Sequence, residues 1–217
     1  SMLGLVHGRG CSYDATIGGT RDGQVTAYRV HLSQDGGAHP TIGAFLPSIG
    51  RVVASGAYDI ASVDYSATSY VTNSVPVGAY RGAGRPEAAL AIERMIDVFA
   101  AELDIDPAEL RRNNFIAPEA FPITTPTGAD MDVGEYESAL QAVMDAADYP
   151  ALREEQALRR QDPAALLLGL GWSTYVAIAN SMANSEYGSV EVRPDGSAVV
   201  RTGSSDHGQG HHTAFAQ

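Results

Sequence analysis

The chain has no lysine; all 14 of its basic residues are arginine, set against 26 Asp and Glu for a net charge of −12. That balance excludes a general polyanion-binding surface, so neither nucleic acid nor an anionic membrane is an expected partner. Any anion site has to be local, made of backbone N–H groups and a few arginines. Two causes fit the missing lysine, a GC-rich genome and salt adaptation, and composition does not separate them. Cys11 is the only cysteine, which excludes a disulfide framework and any cysteine-built zinc or iron–sulfur site within the chain. Nothing near Cys11 in sequence would activate its thiol, so it is expected to be inert. Long hydrophobic runs are also absent. The longest, Ala164 to Leu170, is far too short to cross a bilayer, and the first residues lack the basic and apolar regions of a signal peptide. These absences point to a cytoplasmic protein without a membrane span.

What is present is an ordinary globular composition, 44% apolar over 217 residues, enough for one large domain or two smaller ones. Both ends read as interior sequence. Ser1-Met2 resembles an added leader, and Thr213 to Gln217 start a helix after a glycine loop, as in a segment of a longer polypeptide. Tyr13, Ala15 and Ile17 alternate before the turn signal Asp22-Gly23, and Val25, Ala27, Arg29/Val30 and Leu32 continue beyond it, predicting a hairpin over residues 11 to 35 closed off by Gly36-Gly37. Thr41 to Ser55 predicts a short broken helix, and the alternation in Ala61 to Thr72 a strand. Pro86 to Leu103 gives the clearest helix. Ile92, Ile96, Phe99 and Leu103 share one face, Pro86 suits the first turn, and Glu87 suits the positive end of the dipole.

Further along, Asp106-Pro107-Ala108-Glu109 predicts a capping-box start for a short helix ending near Asn114, and Asp104 and Asp106 are both assigned to capping at that start. Pro118 to Gly134 predicts a loop, and Glu135 to Gln161 one or two helices. Leu170 to Ile178 predicts a buried strand. Glu186 to Val192 and Ser197 to Arg201 predict a hairpin around Arg193-Pro194-Asp195-Gly196. The fold class is α+β, two mixed helix/sheet units, residues 1–160 and 161–217, with the boundary between residues 150 and 168.

Two glycine-rich segments carry the chemistry. In Gly78-Ala79-Tyr80-Arg81-Gly82-Ala83-Gly84-Arg85-Pro86-Glu87, Gly82 and Gly84 permit φ > 0 or close approach of backbone to a ligand. Arg81 offers a fork of donors to a carboxylate, phosphate or oxo group, and a helix N-terminus follows. The bland reading is a surface turn with two solvated arginines. A dinucleotide-binding Gly-x-Gly-x-x-Gly is excluded because Pro86 and Glu87 intrude. In Gly203 to Thr213, Gly208-Gln209-Gly210 follows a strand and opens a helix, where free N–H groups can hold a phosphate. Gln209 can both donate and accept at a pterin or nucleotide edge, and Thr213 can cap or touch phosphate. Two such loops in an acidic chain predict a large anionic cofactor held from two sides. His207 and His211 stand four apart with His212 and Asp206 nearby, a zinc pattern that Gly208 and Gly210 weaken by breaking the helix; no metal site is assigned. His7, His31 and His39 are isolated and read as structural or solvated.

Taken together, Gly78 to Ala88, then Ile92-Glu93-Arg94, then Asp106-Pro107-Ala108-Glu109-Leu110-Arg111-Arg112-Asn113-Asn114-Phe115-Ile116 resemble the molybdenum hydroxylases, the xanthine dehydrogenase/aldehyde oxidase superfamily, and within it the large subunit of aerobic-type carbon monoxide dehydrogenases. Glu186 to Val192 and the Gly-Gln-Gly-His-x-Thr core of Gly203 to Gln217 fit the same pattern. The resemblance implies molybdopterin, as the cytosine dinucleotide, and hydroxylation of a carbon with oxygen from water. It also implies an FAD-binding medium subunit and an iron–sulfur small subunit as electron acceptors, commonly as paired heterotrimers. By the same resemblance Arg81, Gly82, Ala83 and Gly84 approach the molybdenum and substrate, while Gly208, Gln209, Gly210 and Thr213 hold the pterin or its pyrophosphate. Gly82 stands where copper-dependent carbon monoxide dehydrogenases carry a cysteine, which leaves an aldehyde, purine or other heterocycle at least as consistent a substrate as CO. The family's catalytic glutamate belongs to a downstream glycine-rich motif, and Glu87 is expected to be structural. The chain alone is therefore expected to be inactive and without bound cofactor. Two other readings stand beside this one: a small metal-binding domain using His207, His211 and His212, and a non-catalytic assembly module.

Overall fold

Alternating burial in β1 (Cys11–Gly19) and β2 (Val25–Asp35) gives the expected antiparallel hairpin, and the structure, a computed structural model, describes residues 5–178, 185–206 and 208–217. The hairpin turn closes through Thr20 N–H to Gln24 O at 2.9 Å and Gly23 N–H to Thr20 O at 3.1 Å, with Gly23 at φ +93°. The expected phase of β2 slips. Val25, Tyr28, Val30 and Leu32 are buried while Ala27 is exposed, because Gly18 faces Ala27 but Gly19 faces Val25, which leaves Thr26 as an extra residue on β2. An extra residue on one strand flips the alternation from that point on.

The predicted broken helix is a 3-10 turn (Ile42–Phe45) running into α1 (Leu46–Val52). It carries the chain across to β3 (Ser62–Tyr70), which lies parallel to β2 with Val30 opposite Tyr65. The sheet order is β1-β2-β3. α2 (Arg85–Leu103) lies against this sheet, where Ile92, Ile96 and Ala100 meet Val25, Tyr28, Val30, Tyr58, Ile60 and Leu110 in the main core. Phe99 packs on that core from its half-buried edge.

α3 (Pro107–Arg112) starts at Asp106, whose carboxylate accepts from Ala108 N–H at 2.8 Å. Asp104 does not join that start; it ends α2 in the left-handed conformation at φ +54°. Glu109 pairs with Arg112 at 2.6 Å one turn on. Asn114, 1% exposed, follows α3 and uses its whole carboxamide. It accepts from Val25 N–H (2.8 Å) and Gln24 Nε2 (3.2 Å), and donates to Gly23 O and Leu110 O (both 2.8 Å), fastening α3 to the hairpin turn.

Arg111 is fully buried. Its Nε donates to Glu93 Oε2 at 2.8 Å, its Nη1 to Asp97 Oδ1 at 2.8 Å and Pro107 O at 3.0 Å, and its Nη2 to Glu93 O at 3.2 Å and Trp172 O at 3.4 Å. The Tyr58 hydroxyl donates to the other Glu93 oxygen at 2.7 Å. Burial pushes the Glu93 carboxyl above its usual range, against the opposing pull of Arg111 and Tyr58.

Within the predicted loop 118–134 the chain forms a 3-10 turn (Pro118–Ala120) and a two-residue ladder of β4 (Ile123–Thr124) with β5 (Asp130–Met131). Two helices follow, α4 (Tyr136–Ala147) and α5 (Tyr149–Gln161), separated by Asp148 at φ +48°. The buried strand expected over residues 170–178 does not form. Exposed and half-buried residues alternate there, but no strand is paired with this stretch among the described residues. Its apolar side chains serve three helices instead: Leu170 and Trp172 pack against Ala108 of α3, Leu140 of α4 and Tyr149 of α5.

The chain divides into two compact units, Ser1–Ala177 and Ile178–Gln217. The second holds the predicted hairpin, β6 (Gly188–Val192) with β7 (Ala198–Thr202), and the short α6 (His211–Ala216). No helix among the described residues is long and apolar enough to cross a membrane.

Arg111→Ala would strand Glu93 and Asp97 around a hole in the first unit. We expect a loss of about 3–5 kcal/mol in urea unfolding, and a smaller loss for Asp97→Asn because Asp97 is 30% exposed and can rehydrate.

Candidate functional site

The first glycine segment is a tight turn at the foot of α2. Segment 7–10 runs beside its approach: His7 N–H donates to Pro76 O at 3.1 Å, and Gly78 N–H to His7 O at 2.7 Å. Ala83 N–H then closes on Tyr80 O at 2.7 Å, and Arg85 donates to Gly82 O through both its backbone N–H and its Nη1, each at 3.2 Å. Gly82, Ala83 and Gly84 all have positive φ, at +102°, +45° and +87°. Three such residues in succession are costly for L-amino acids, and Ala83 bears that cost with a side chain.

The glycines are needed here by the turn itself. A Cβ on Gly82 would lie 2.4 Å from Pro86 Cγ, and one on Gly84 would lie 2.4 Å from Leu46 O in α1. Arg81 is an exposed residue of the turn, shortly before the α2 N-terminus. Glu87, expected at the positive end of the helix dipole, sits in the first turn of α2 but is buried. Among the described residues nothing donates a hydrogen bond to its Oε2, and Arg9 Nε is 4.0 Å from Oε1. Around it lie groups kept neutral. Burial raises the Cys11 thiol above its usual range, despite its 3.1 Å contact with the Tyr13 hydroxyl. Burial, with Cys11 next, pushes Tyr65 up to about 12, a direction to which Glu87 also contributes. Burial thus works against ionisation of the Cys11 thiol.

The second segment opens α6. Gly208 and Gly210 are left-handed at φ +99° and +79°, and the missing Cβ of Gly210 faces open space. The amides expected to be free are partly taken: Asp206 Oδ1 accepts from Gly208 N–H at 2.8 Å and from Gln209 N–H at 3.1 Å. The Gly208 N–H, with further help from His211 and His212, holds the Asp206 carboxyl below its usual range. Gln209 Nε2 donates back to Ser205 O at 3.1 Å. Thr213 is exposed in the first turn of α6, its N–H donating to Gly210 O at 3.0 Å. A 590 Å³ cleft lies beside this segment, lined by Thr202, Ser204, Asp206, His211, His212 and Phe215 among others.

The histidine metal pattern depends on His207, which lies outside the described residues. α6 starts only at His211, and among the described residues no group of three His, Cys, Asp or Glu is placed to hold a metal. Sequence reasoning missed two features, Asp206 as the acceptor of the loop amides and Arg9 beside Glu87. The Asp-x-Gly spacing of an Asx turn could have revealed the first. The second has no short-range signal, since Arg9 and Glu87 are far apart in the chain.

The turn thus places an exposed arginine residue beside the N-terminus of a long helix, and the second segment offers two left-handed glycines, of which Gly210 faces open space. The first suits an anionic group, whereas the second sets an ionised Asp206 beside its glycines and suits hydrogen-bond donors.

Residues 1–115 match a family model described as the molybdopterin cofactor-binding domain, and residues 142–217 match a second model of the same description. The carbon monoxide dehydrogenase large chain of Hydrogenophaga pseudoflava is 40% identical across 94% of this chain and 27% of its own length. The nicotine 6-hydroxylase large subunit of Paenarthrobacter nicotinovorans is 33% identical across 90% of this chain and 25% of its own. Among solved structures, quinoline 2-oxidoreductase from Pseudomonas putida 86 superposes with a TM-score of 0.86 at 27% identity, over 99% of this chain and 29% of that one. The chain belongs to the molybdopterin-binding molybdenum hydroxylases. It spans about a quarter of the length of the curated relatives it matches.

Gly82→Ala places a methyl group against Pro86 at a left-handed φ. We expect it to lower stability by about 1–3 kcal/mol in thermal unfolding. Gly18→Ala, whose Cβ would meet nothing within 4 Å, serves as the control.

Proposed function

We propose that this chain forms part of the cofactor-binding region of a molybdenum hydroxylase large subunit, with each glycine segment making its own contacts to molybdopterin in the cytosine dinucleotide form. The observation that carries this reading is the Gly82-Ala83-Gly84 turn, three consecutive left-handed residues between the exposed residue Arg81 and the α2 N-terminus. When bound, the cofactor supplies the molybdenum centre at which a substrate carbon is hydroxylated with oxygen drawn from water.

The residues of this chain bind and orient. Arg81 stabilises negative charge that develops on the substrate, and Gly82 to Gly84 let main chain line the site without side chains in the way. At the second segment Asp206 is ionised beside Gly208 and Gln209, so it would repel a pyrophosphate. It suits the N–H donors of a pterin ring instead, which assigns Gly208, Gln209, Gly210 and Thr213 to the pterin end of the cofactor. The catalytic carboxylate comes from elsewhere in the subunit, so the chain by itself is inactive. Electrons pass to an FAD-binding medium subunit and an iron–sulfur small subunit, in the cytoplasm.

For substrate we favour the carbon of a nitrogen heterocycle or an aldehyde over CO. Gly82 carries no thiol, and the turn has no room for a Cβ there. Two of the similar proteins are named for nicotine and quinoline.

Arg81→Ala in the intact holoenzyme should lower turnover about 100-fold or more while molybdenum content stays near wild type. Dye-coupled assays on CO, aldehydes and N-heterocycles, with metal analysis in parallel, check this. Equal losses of turnover and metal would instead make Arg81 a cofactor clamp, and absence of molybdopterin from the purified wild type would refute the proposal.

A further inference from the structure

Behind the Tyr80–Gly84 turn, on a different stretch of chain, one guanidinium contacts two residues of the turn and one of the helix that follows it. Arg9 Nη2 donates to the carbonyl of Arg81 at 2.9 Å. Its guanidinium carbon lies 4.8 Å from the centre of the Tyr80 ring, and its Nε is 4.0 Å from Glu87 Oε1. The backbone around Arg9 is shaped to allow this. Arg9 itself has φ +62°, an uncommon conformation for a residue with a side chain. A Cβ on the preceding Gly8 would come within 2.7 Å of Tyr80 Cβ, so segment 8–10 lies directly on the turn. Glu87 is 93% buried by its 7% exposure, and among the described residues Arg9 is its only ion-pair partner.

We propose that Arg9 is a positioning residue that clasps the Arg81 turn from behind through the Arg81 carbonyl, the Tyr80 face and the Glu87 carboxylate. The inference rests on the reading that this turn serves the molybdopterin site. The turn stores strain at Ala83, and a strained turn keeps its conformation only when its surroundings hold it. A charge-assisted hydrogen bond to the main chain at residue 81 fixes the carbonyl immediately before the first left-handed residue, and so fixes the direction in which the Arg81 side chain leaves the backbone. Its cation–π contact with Tyr80 holds the residue on the other side. Arg9 does not contact substrate; it acts through Arg81.

Trypsin reads the clasp directly. The Arg81–Gly82 bond can be cut, whereas Arg85–Pro86 resists because proline follows the arginine. In the intact, molybdenum-loaded subunit, Arg9→Ala should speed cleavage after Arg81 about tenfold, the scale of losing one charge-assisted contact from a locally opening loop. Cleavage after Arg29, inside β2, should not change, and molybdenum content should stay near wild type. Arg9→Lys keeps a cation over Tyr80 and should restore part of the protection. It should also recover part of a fall in kcat that occurs with little change in KM.

Unchanged cleavage after Arg81, or equal acceleration at Arg81 and Arg29, would overturn the clasp. If Arg9→Ala yields no folded protein, Arg9→Gln tests the same bond with the same two outcomes. Selective opening at Arg81 in a wild-type background that purifies without molybdopterin would uphold the clasp and refute the cofactor reading. Molybdopterin present with cleavage unaltered would do the reverse.

Discussion

The first unit is organised around a buried cation. Arg111 is fully buried, so the donors it carries must be met by protein, and the partners it needs lie on separate elements: Glu93 and Asp97 on α2, Pro107 at the start of α3, and Trp172 beyond α5. Tyr58 completes the second oxygen of Glu93 from the far side of the core. Replacing such a network with hydrocarbon can leave stability unchanged or improve it, but removing one member cannot, because the charges left behind remain buried. The network therefore sets where α3 and the Trp172 segment sit relative to α2. Since α2 begins at the Arg81 turn, the same network fixes the platform from which that turn projects.

The local physics of this chain was legible in its sequence. The Asp22-Gly23 hairpin, the amphipathic α2, Asp106 as an N-cap and the Arg193 to Gly196 hairpin each follow from turn chemistry or periodicity within a short window. What failed depended on partners far away in sequence. Leu170 to Ile178 has the alternation of a strand, but a strand also needs a neighbour to pair with; here Trp172 is drawn to Tyr149 instead, with ring centres 4.9 Å apart. The phase of β2 was misjudged because Thr26 is an extra residue against β1, where Gly18 faces Ala27 and Gly19 faces Val25, and that bulge shows only once the strands are paired. Asp104 and Asp106 look equivalent as caps, and only the left-handed backbone at Asp104 separates the end of one helix from the start of the next.

The candidate site shows the same division. Gly82 and Gly84 were recognisable as necessary glycines, and of the two reasons their pattern offers, positive φ or close approach of a ligand, the structure shows the first. Glycine next to a cofactor usually signals close approach of the ligand, whereas here Pro86 and Leu46 occupy the space a Cβ would need. A glycine can thus be required by the fold while its exposed face still serves a ligand, and sequence alone does not separate the two demands. In the second segment the amides looked free because the carboxylate that takes them, Asp206, sits outside the glycine triplet.

A chain with net charge −12 meets an anionic cofactor at a disadvantage unless cationic groups are held close to it and acidic groups are held back. The first unit does both over a few residues. Glu87 stands in the first turn of the helix that faces the turn, where an exposed carboxylate would compete with any anion for the helix dipole. It is instead buried and turned toward Arg9, while Arg81 remains on the outer surface. The second segment does not withdraw its carboxylate: Asp206 stays ionised against the loop amides. The two segments are therefore not interchangeable anion sites. The first holds its carboxylate away from the exposed turn, whereas the second keeps an ionised carboxylate beside its own glycines.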